Sequence, residues 1–146
     1  TPYLILNDAI SRALKVASES GVDVRILVPH IPDKKLVFQI TRHSYKVLIE
    51  SGIKIYEFTP GFNHSKAIVC DDEYGLVGSI NTDFRSYFLH FEDAVLMYKT
   101  EAVKDVKKDF LQSLEKSHEV TMKEVNTTPL ILKIIRAILT LFIPLV

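Results

Sequence analysis

Two apolar runs flanking one helical pattern, all within residues 22–58, constrain the fold more than any other feature of this chain. Val22-Asp23-Val24-Arg25-Ile26-Leu27-Val28 alternates at first and then becomes continuously apolar, which suits a strand entering a buried sheet. Pro29 to Asp33 reads as a loop. Leu36 to Ser51 reads as one helix stopped by Gly52, and Ile53 to Phe58 alternates strictly, as a half-buried strand does. Strand, helix and strand in that order are the pattern of an α/β domain.

The flanking segments extend the pattern. Asn7-Asp8 offers an N-cap for a helix running to about Ser20, with Ile10, Leu14 and Ala17 on one face and Gly21 as its stop. After Pro60-Gly61 the character changes to strands. His64 to Asp71 is one, Tyr74 to Gly78 is its hairpin partner, and Glu92 to Tyr98 is another. Thr100 to Lys116 reads as a helix with Val103, Val106, Phe110 and Leu114 on one side, and the polar stretch 118–128 as a linker. The expected fold is therefore α/β, a mixed β-sheet flanked by helices on both faces. It comprises a unit over 1–117, a linker over 118–128 and an amphipathic helix over 129–146.

A length of 146 residues allows one domain. Eighteen basic residues balance eighteen acidic ones, so no global field holds a polyanion, which argues against nucleic acid as a partner. The single cysteine, Cys70, excludes an internal disulfide and fits a reducing compartment; lying in an apolar run, it is expected to be a small buried side chain. The chain opens at Thr1-Pro2-Tyr3 directly into an apolar run and reads as a piece of a longer protein.

The residues that carry chemistry lie in His64-Ser65-Lys66-Ala67-Ile68-Val69-Cys70-Asp71 and in Gly78-Ser79-Ile80-Asn81. On a strand, His64 and Lys66 point to the same side. An ammonium beside an imidazole makes a phosphate site, where the ammonium neutralises oxygens while the imidazole attacks phosphorus or shuttles a proton. Positions 67–70 are apolar on both faces, and a lysine among them is costly unless it faces a polar cleft or an anion. Ser79 and Asn81 can offer a hydroxyl and an amide to the same phosphate, beside a glycine that permits close approach. Glu92 is the carboxylate available to orient an imidazole. His30, His43, His90 and His118 are given ordinary hydrogen-bonding roles.

His64, Lys66 and Asp71 match the HxKxxxxD motif of the phospholipase D superfamily, and Gly78, Ser79 and Asn81 match its downstream GSxN. The stretches 21–29, 52–57 and Asp83-Phe84-Arg85-Ser86, with Phe91-Glu92, narrow the resemblance to bacterial cardiolipin synthases. It runs the length of the chain. His90 stands where close relatives are expected to carry Asn. The resemblance implies a phosphatidyl transfer that uses no metal or other cofactor. Two such motifs face each other, one histidine forming a phosphohistidine and the other acting as acid and base. Donor and acceptor are both phosphatidylglycerol, and the products are cardiolipin and glycerol. It assigns the acid/base role to His64, phosphate contacts to Lys66, Ser79 and Asn81, support of the site to Asp71, and orientation of His64 to Glu92. It also implies a missing N-terminal half as partner, and a place at the bacterial cell membrane with the site on the cytoplasmic side.

Residues 130–146 fall short of the roughly 18 to 20 uninterrupted apolar residues of a membrane span. Lys133, Arg136 and Thr140 form one polar stripe opposite Leu132, Ile135, Leu139 and Phe142, which suits a helix lying on an anionic membrane surface. Two other functions remain open on sequence alone, a homodimeric phosphodiesterase or nuclease of the same superfamily and a catalytically silent membrane-docking module.

Overall fold

A computed structural model describes residues 1–141. The chain begins with a two-residue strand, β1 (Leu4–Ile5). Helix α1 (Asp8–Glu19) follows, started by the Asn7 side chain, which accepts from the Ile10 N–H at 2.9 Å. Its end requires Gly21, whose φ of +97° lies in the left-handed region that residues with a Cβ avoid. Strand β2 (Arg25–Pro29) is exposed at its start and fully buried over its last three residues, as its shift from alternating to apolar anticipates.

The helix expected over 36–51 is two. Helix α2 (Lys35–His43) and helix α3 (Tyr45–Glu50) meet at Ser44, whose N–H bonds the Thr41 carbonyl three residues back. The break turns Tyr45 and Leu48 into the core, and the Tyr45 hydroxyl reaches Glu57 at 3.0 Å. A straight helix keeps a single apolar stripe, whereas this bend lets two short ones follow the sheet.

Strand β3 (Lys54–Phe58) pairs in parallel with β2, from Arg25 opposite Lys54 to Pro29 opposite Phe58. Its strict alternation places Ile55 and Glu57 on the inner face. Glu57 is only 1% exposed, and a carboxylate there must be paired. Arg42 grips it with two bonds at 2.9 and 2.7 Å, and Tyr45 and His30 Nδ1 supply two more. Leu4, Val28, Tyr45, Leu48, Ile53 and Ile55 form the main core, and Ile5, Val37 and Ile40 a second one beside it.

Strands β4 (Ala67–Cys70) and β5 (Tyr74–Gly78) make the expected hairpin, turned by Asp71 and Asp72 at φ 52° and 59°. A short strand, β6 (Thr82–Asp83), runs parallel to β1 and leads into α4 (Phe84–Phe88). Strand β7 (Ala94–Tyr98) adds to β5, and α5 (Glu101–Glu115) covers one face of that antiparallel sheet, its fully buried Val103 set against Gly75. Among the described residues no element covers the other face. Ile68, Tyr74, Leu96 and Tyr98 project from it, and Cys70 lies exposed instead of buried. The apolar run around Cys70 packs against the domain on one side only, which is why burial was misread.

The stretch read as a linker is structured. Strand β8 (Ser117–Glu119) adds antiparallel to β3, and α6 (Met122–Thr127) starts on a capping box between Thr121 and Glu124. Helix α7 (Leu130–Thr140) packs on α2 with its polarity inverted relative to expectation. Arg136 is buried there, Leu139 meets Ile5, Val37 and Ile40, and Ile131, Ile134 and Ile138 face outward. The expected contribution of Phe142 lies outside the described residues. The architecture is the expected α/β arrangement of mixed strands and flanking helices, divided into sheets β1-β6, β2-β3-β8 and β4-β5-β7.

Candidate active site

His64, Ser65 and Lys66 precede β4 as an extended segment outside any ladder, so strand pairing does not hold His64 and Lys66 side by side. Local bonds set them instead. The Asn63 side chain accepts from the Ser65 N–H at 2.9 Å and from its hydroxyl at 2.7 Å, closing a tight Asx turn around His64. The exposed His64 ring lies tilted against Phe62, with 5.4 Å between centroids. Lys66 folds back so that Nζ donates to the His64 carbonyl at 2.8 Å, and its own carbonyl accepts from the Gly78 N–H at 3.2 Å. That last bond ties the start of β4 to the end of β5.

Burial lowers the Lys66 pKa, and the carboxylates of Glu92, Asp33 and Asp83 pull it back in part. Among the described residues none of these carboxylates forms an ion pair with it. The ammonium therefore has a carbonyl as its partner and no paired carboxylate among the described residues, which leaves its charge available to an anion.

Gly78 is required where it stands. A Cβ there would lie 2.5 Å from Ala94 Cα, so any side chain would force β5 and β7 apart. The close approach carries Ser79 against Asp93 and Glu92. The Ser79 N–H donates to the Asp93 carbonyl at 2.8 Å, its Oγ accepts from the Asp93 N–H at 3.0 Å, and the same hydroxyl donates to Glu92 Oε2. Ser86 Oγ donates to the other oxygen, Glu92 Oε1, at 2.8 Å, and His90 Nδ1 lies 3.5 Å from that oxygen. The Ser79 and Ser86 bonds hold the Glu92 pKa below the usual carboxylate range. Among the described residues Glu92 makes no hydrogen bond or ion pair to His64.

Asn81 offers its N–H to Ser86 Oγ at 3.2 Å, while its side-chain Oδ1 is buried and has no partner among the described residues. A buried amide oxygen left unpaired is a costly arrangement that a bound donor relieves. Asp71 stands apart, in the hairpin turn at the far end of β4, exposed, with Cys70 Sγ as its neighbour at 3.4 Å. The fold thus gathers Lys66, Ser79, Asn81 and Glu92 where the first turn of β4 meets the last turn of β5, with His64 at the rim and Asp71 elsewhere.

Sequence reasoning missed Ser86 as a member of this group. Asp83 caps α4 by accepting from the Ser86 N–H at 2.7 Å, which fixes the hydroxyl that holds Glu92 and Asn81. Part of the signal was there, since Asp83 is a residue that favours an N-cap, but nothing local marked Ser86 itself. Asp33 was missed as well; it accepts from the Tyr3 hydroxyl at 2.6 Å and lends its charge to Lys66 from the loop after β2.

A family model described as "Cardiolipin synthase, PLD-like domain" matches residues 1–114. A Streptococcus mutans protein is 44% identical over 145 residues, covering 99% of this chain and 32% of its own length. A cardiolipin synthase from a Geobacillus strain is 39% identical over 145 residues, 29% of its length. The chain therefore spans about a third of the relatives that it matches. Among solved structures, Nuc of Salmonella typhimurium, a phospholipase D family member, superposes with a TM-score of 0.69 at 19% identity, over 81% of this chain and 77% of that one. The phosphatidylserine synthase of Haemophilus influenzae gives 0.70 at 18% identity, over 99% of this chain and 38% of its own. The fold is that of the phospholipase D superfamily, and with the family match over most of its length the chain belongs to the cardiolipin synthase PLD-like domain family.

Proposed function

We propose that this chain is the C-terminal half of a phosphatidyltransferase that forms cardiolipin from two phosphatidylglycerol molecules through a phosphohistidine. The observation that carries the reading is Lys66, an ammonium that no carboxylate pairs among the described residues, whose own carbonyl accepts from the N–H of Gly78, the residue before Ser79. A phosphodiester placed there meets a cation, and the Ser79 hydroxyl and the Asn81 NH2 group are the motif's neutral donors, donors being what stabilises charge on phosphoryl oxygens. His64 then serves as the acid that protonates the leaving alcohol and the base that activates the acceptor. Glu92, anchored by Ser79 and Ser86, is the carboxylate that stabilises an imidazolium in the assembled site. Asp71 supports the geometry through the β4–β5 turn.

The other half of the enzyme supplies the nucleophilic histidine. The chain's share of its relatives' length supports that part of the reading, as does the bare apolar face of β4-β5-β7. The reaction takes place at the cytoplasmic face of a bacterial membrane. Among the described residues no helix is long and apolar enough to cross a membrane.

A homodimeric phosphodiesterase is the second reading, favoured by the match to 77% of the Nuc chain, which shows that a unit of this size can stand as a protein. One experiment separates the two. The chain alone is incubated with phosphatidylglycerol vesicles while its oligomeric state is recorded. Folded monomer without turnover is the expected result. Cleavage by a dimer instead favours the second reading. In the enzyme joined to its other half, His64→Ala abolishes transfer and His118→Ala does not; full activity of the His64 variant refutes the assignment.

A further inference from the structure

One surface outside this site is apolar without interruption. Helix α7 meets α2 through Leu139, which packs on Val37 and Ile40, and through Arg136, whose Nε donates to Gln39 Oε1 at 2.9 Å. The face turned away carries Leu130, Ile131, Ile134, Ala137, Ile138 and, at the cap, Leu141. All six are exposed, Leu130 and Leu141 by 73% and 77%. At about 3.6 residues per turn these positions close into one arc along the helix. Lys133 stands at its border. An aliphatic surface of that extent marks a place where something else binds.

Its chemistry and surroundings identify the occupant. The arc is purely aliphatic, with no aromatic ring, arginine or hydrogen-bonding side chain, whereas protein interfaces concentrate tyrosine and arginine anchors. The exposed face of β4-β5-β7, where the Tyr74 and Tyr98 rings lie 4.8 Å apart, has that protein-like composition and α7 does not. Charge points the same way. Helices α2 and α7 hold Lys35, Arg42, Lys133 and Arg136 and not one carboxylate. Widened to residues 34–49 and 125–141, the two segments carry six lysines and arginines and no Asp or Glu, in a chain that balances eighteen against eighteen. Lys34, Lys35 and Lys133 among them are exposed, with no ion pair among the described residues. An aliphatic face with cations and no acids around it is complementary to an anionic bilayer, whose headgroups take the cations and whose acyl boundary takes the side chains. The eleven residues of α7 rise only about 16 Å, half of a hydrocarbon core of roughly 30 Å, so the helix lies along the surface.

We propose that the outer face of α7 is a docking surface for an anionic phospholipid bilayer, with Ile131, Ile134 and Ile138 set at the acyl boundary and the exposed cations of α2 and α7 at the headgroups. The helix meets the membrane with the side opposite Arg136, because Arg136 and Leu139 are turned into the domain. The inference concerns binding alone and stands whether or not His64 transfers a phosphatidyl group.

The test uses the 146-residue chain with two vesicle types, phosphatidylcholine alone and phosphatidylcholine mixed with phosphatidylglycerol, read by co-flotation. Sedimentation without lipid records the oligomeric state. Wild type prefers the anionic vesicles. The paired change Ile134→Gln and Ile138→Gln weakens binding to them by about tenfold or more, while the thermal midpoint without lipid stays level, because both side chains face water. The paired change Lys35→Gln and Lys133→Gln cuts the preference for anionic vesicles by roughly thirtyfold, about fivefold for each cation, and leaves binding to neutral vesicles as it was. The chain has no tryptophan, so Ile138→Trp places a single indole on the face, and its emission shifts to the blue with anionic vesicles. An isoleucine-pair variant that binds as wild type does overturns the proposal, since the contact then lies on another surface. So does wild type that binds both vesicle types equally, or that binds neither and leaves the indole unshifted. Wild type that dimerises through these isoleucines and ignores vesicles also overturns it, giving the face to a second copy.

Discussion

Replacing Arg42 with Ala removes two of the four supports of a carboxylate that has almost no contact with water. Glu57 is 1% exposed and accepts from Arg42 at 2.9 and 2.7 Å, leaving Tyr45 at 3.0 Å and His30 at 2.7 Å once the guanidinium is gone. Breaking a buried ion pair by removing one partner costs about 3 to 5 kcal/mol. For a chain of this size that is a fall in melting midpoint of roughly 6 to 20 °C. The pH dependence carries the sharper test. In the wild type, burial pushes Glu57 up, but Arg42 with His30 and Tyr45 outweighs it and holds the folded pKa below the ordinary value. The stability it contributes is present above the unfolded value of about 4.3 and is lost as pH falls through the lower folded value. Without Arg42 burial prevails, and the folded pKa rises above the unfolded one. The sign then reverses, so that the remaining stability is greatest below about pH 4 and is lost as pH rises. Thermal melts of both proteins across pH 3 to 8 measure this, and the gap between them should narrow in acid. Arg42→Ala costing less than about 1 kcal/mol, with a pH profile parallel to wild type, would refute the reasoning.

Gly78→Ala should destabilise by about 1 to 3 kcal/mol and abolish turnover in the assembled enzyme, because its Cβ drives Ala94 and with it Glu92 away from Ser79; melts and a phosphatidylglycerol assay check both. Ser86→Ala removes one of the two hydroxyls that hold Glu92 down, so a carboxylate titration by NMR should find the Glu92 pKa moved up, with the protein still folded. Thr121→Ala breaks the capping box of α6 and should cost about 1 kcal/mol in a urea titration, with lipid turnover unchanged.

The fold was legible where periodicity and punctuation agree. Asn7 and Gly21 bound α1 as their side chains dictate, and the alternation of β3 placed Ile55 inside. Alternation alone carried Glu57 inside too, and nothing local announced that Arg42, Tyr45 and His30 would meet it. The break at Ser44 has no glycine or proline to mark it, since it arises from what Tyr45 and Leu48 must reach across the chain. The polar residues 118–128 looked like a linker because β8 borrows its stability from β3 and α6 from its cap, neither of which is visible as an apolar pattern. In the site, the types and spacing of the motif residues were legible, which is all that a sequence holds of them. Their geometry was not, because His64 and Lys66 are placed by Asn63 and Gly78 and not by a strand. The inversion of α7 escaped for a related reason, since a polar stripe on a helix ordinarily faces water.

The pairing of β1 with β6 has a consequence for how the protein comes into being on the ribosome. Leu4 aligns with Thr82 and Ile5 with Asp83, so the first strand of the chain waits for residue 83 to emerge before it has a neighbour. Until then the core neighbours of Leu4 and Ile5 are all within reach, Val28, Tyr45 and Leu48 for one and Val37 and Ile40 for the other, while the backbone of β1 stays unpaired. The same late step sets Asp83, which caps α4 and so fixes Ser86 beneath Glu92 and Asn81. Pairing of β1 with β6 and ordering of Ser86, Glu92 and Asn81 are therefore one event of high contact order.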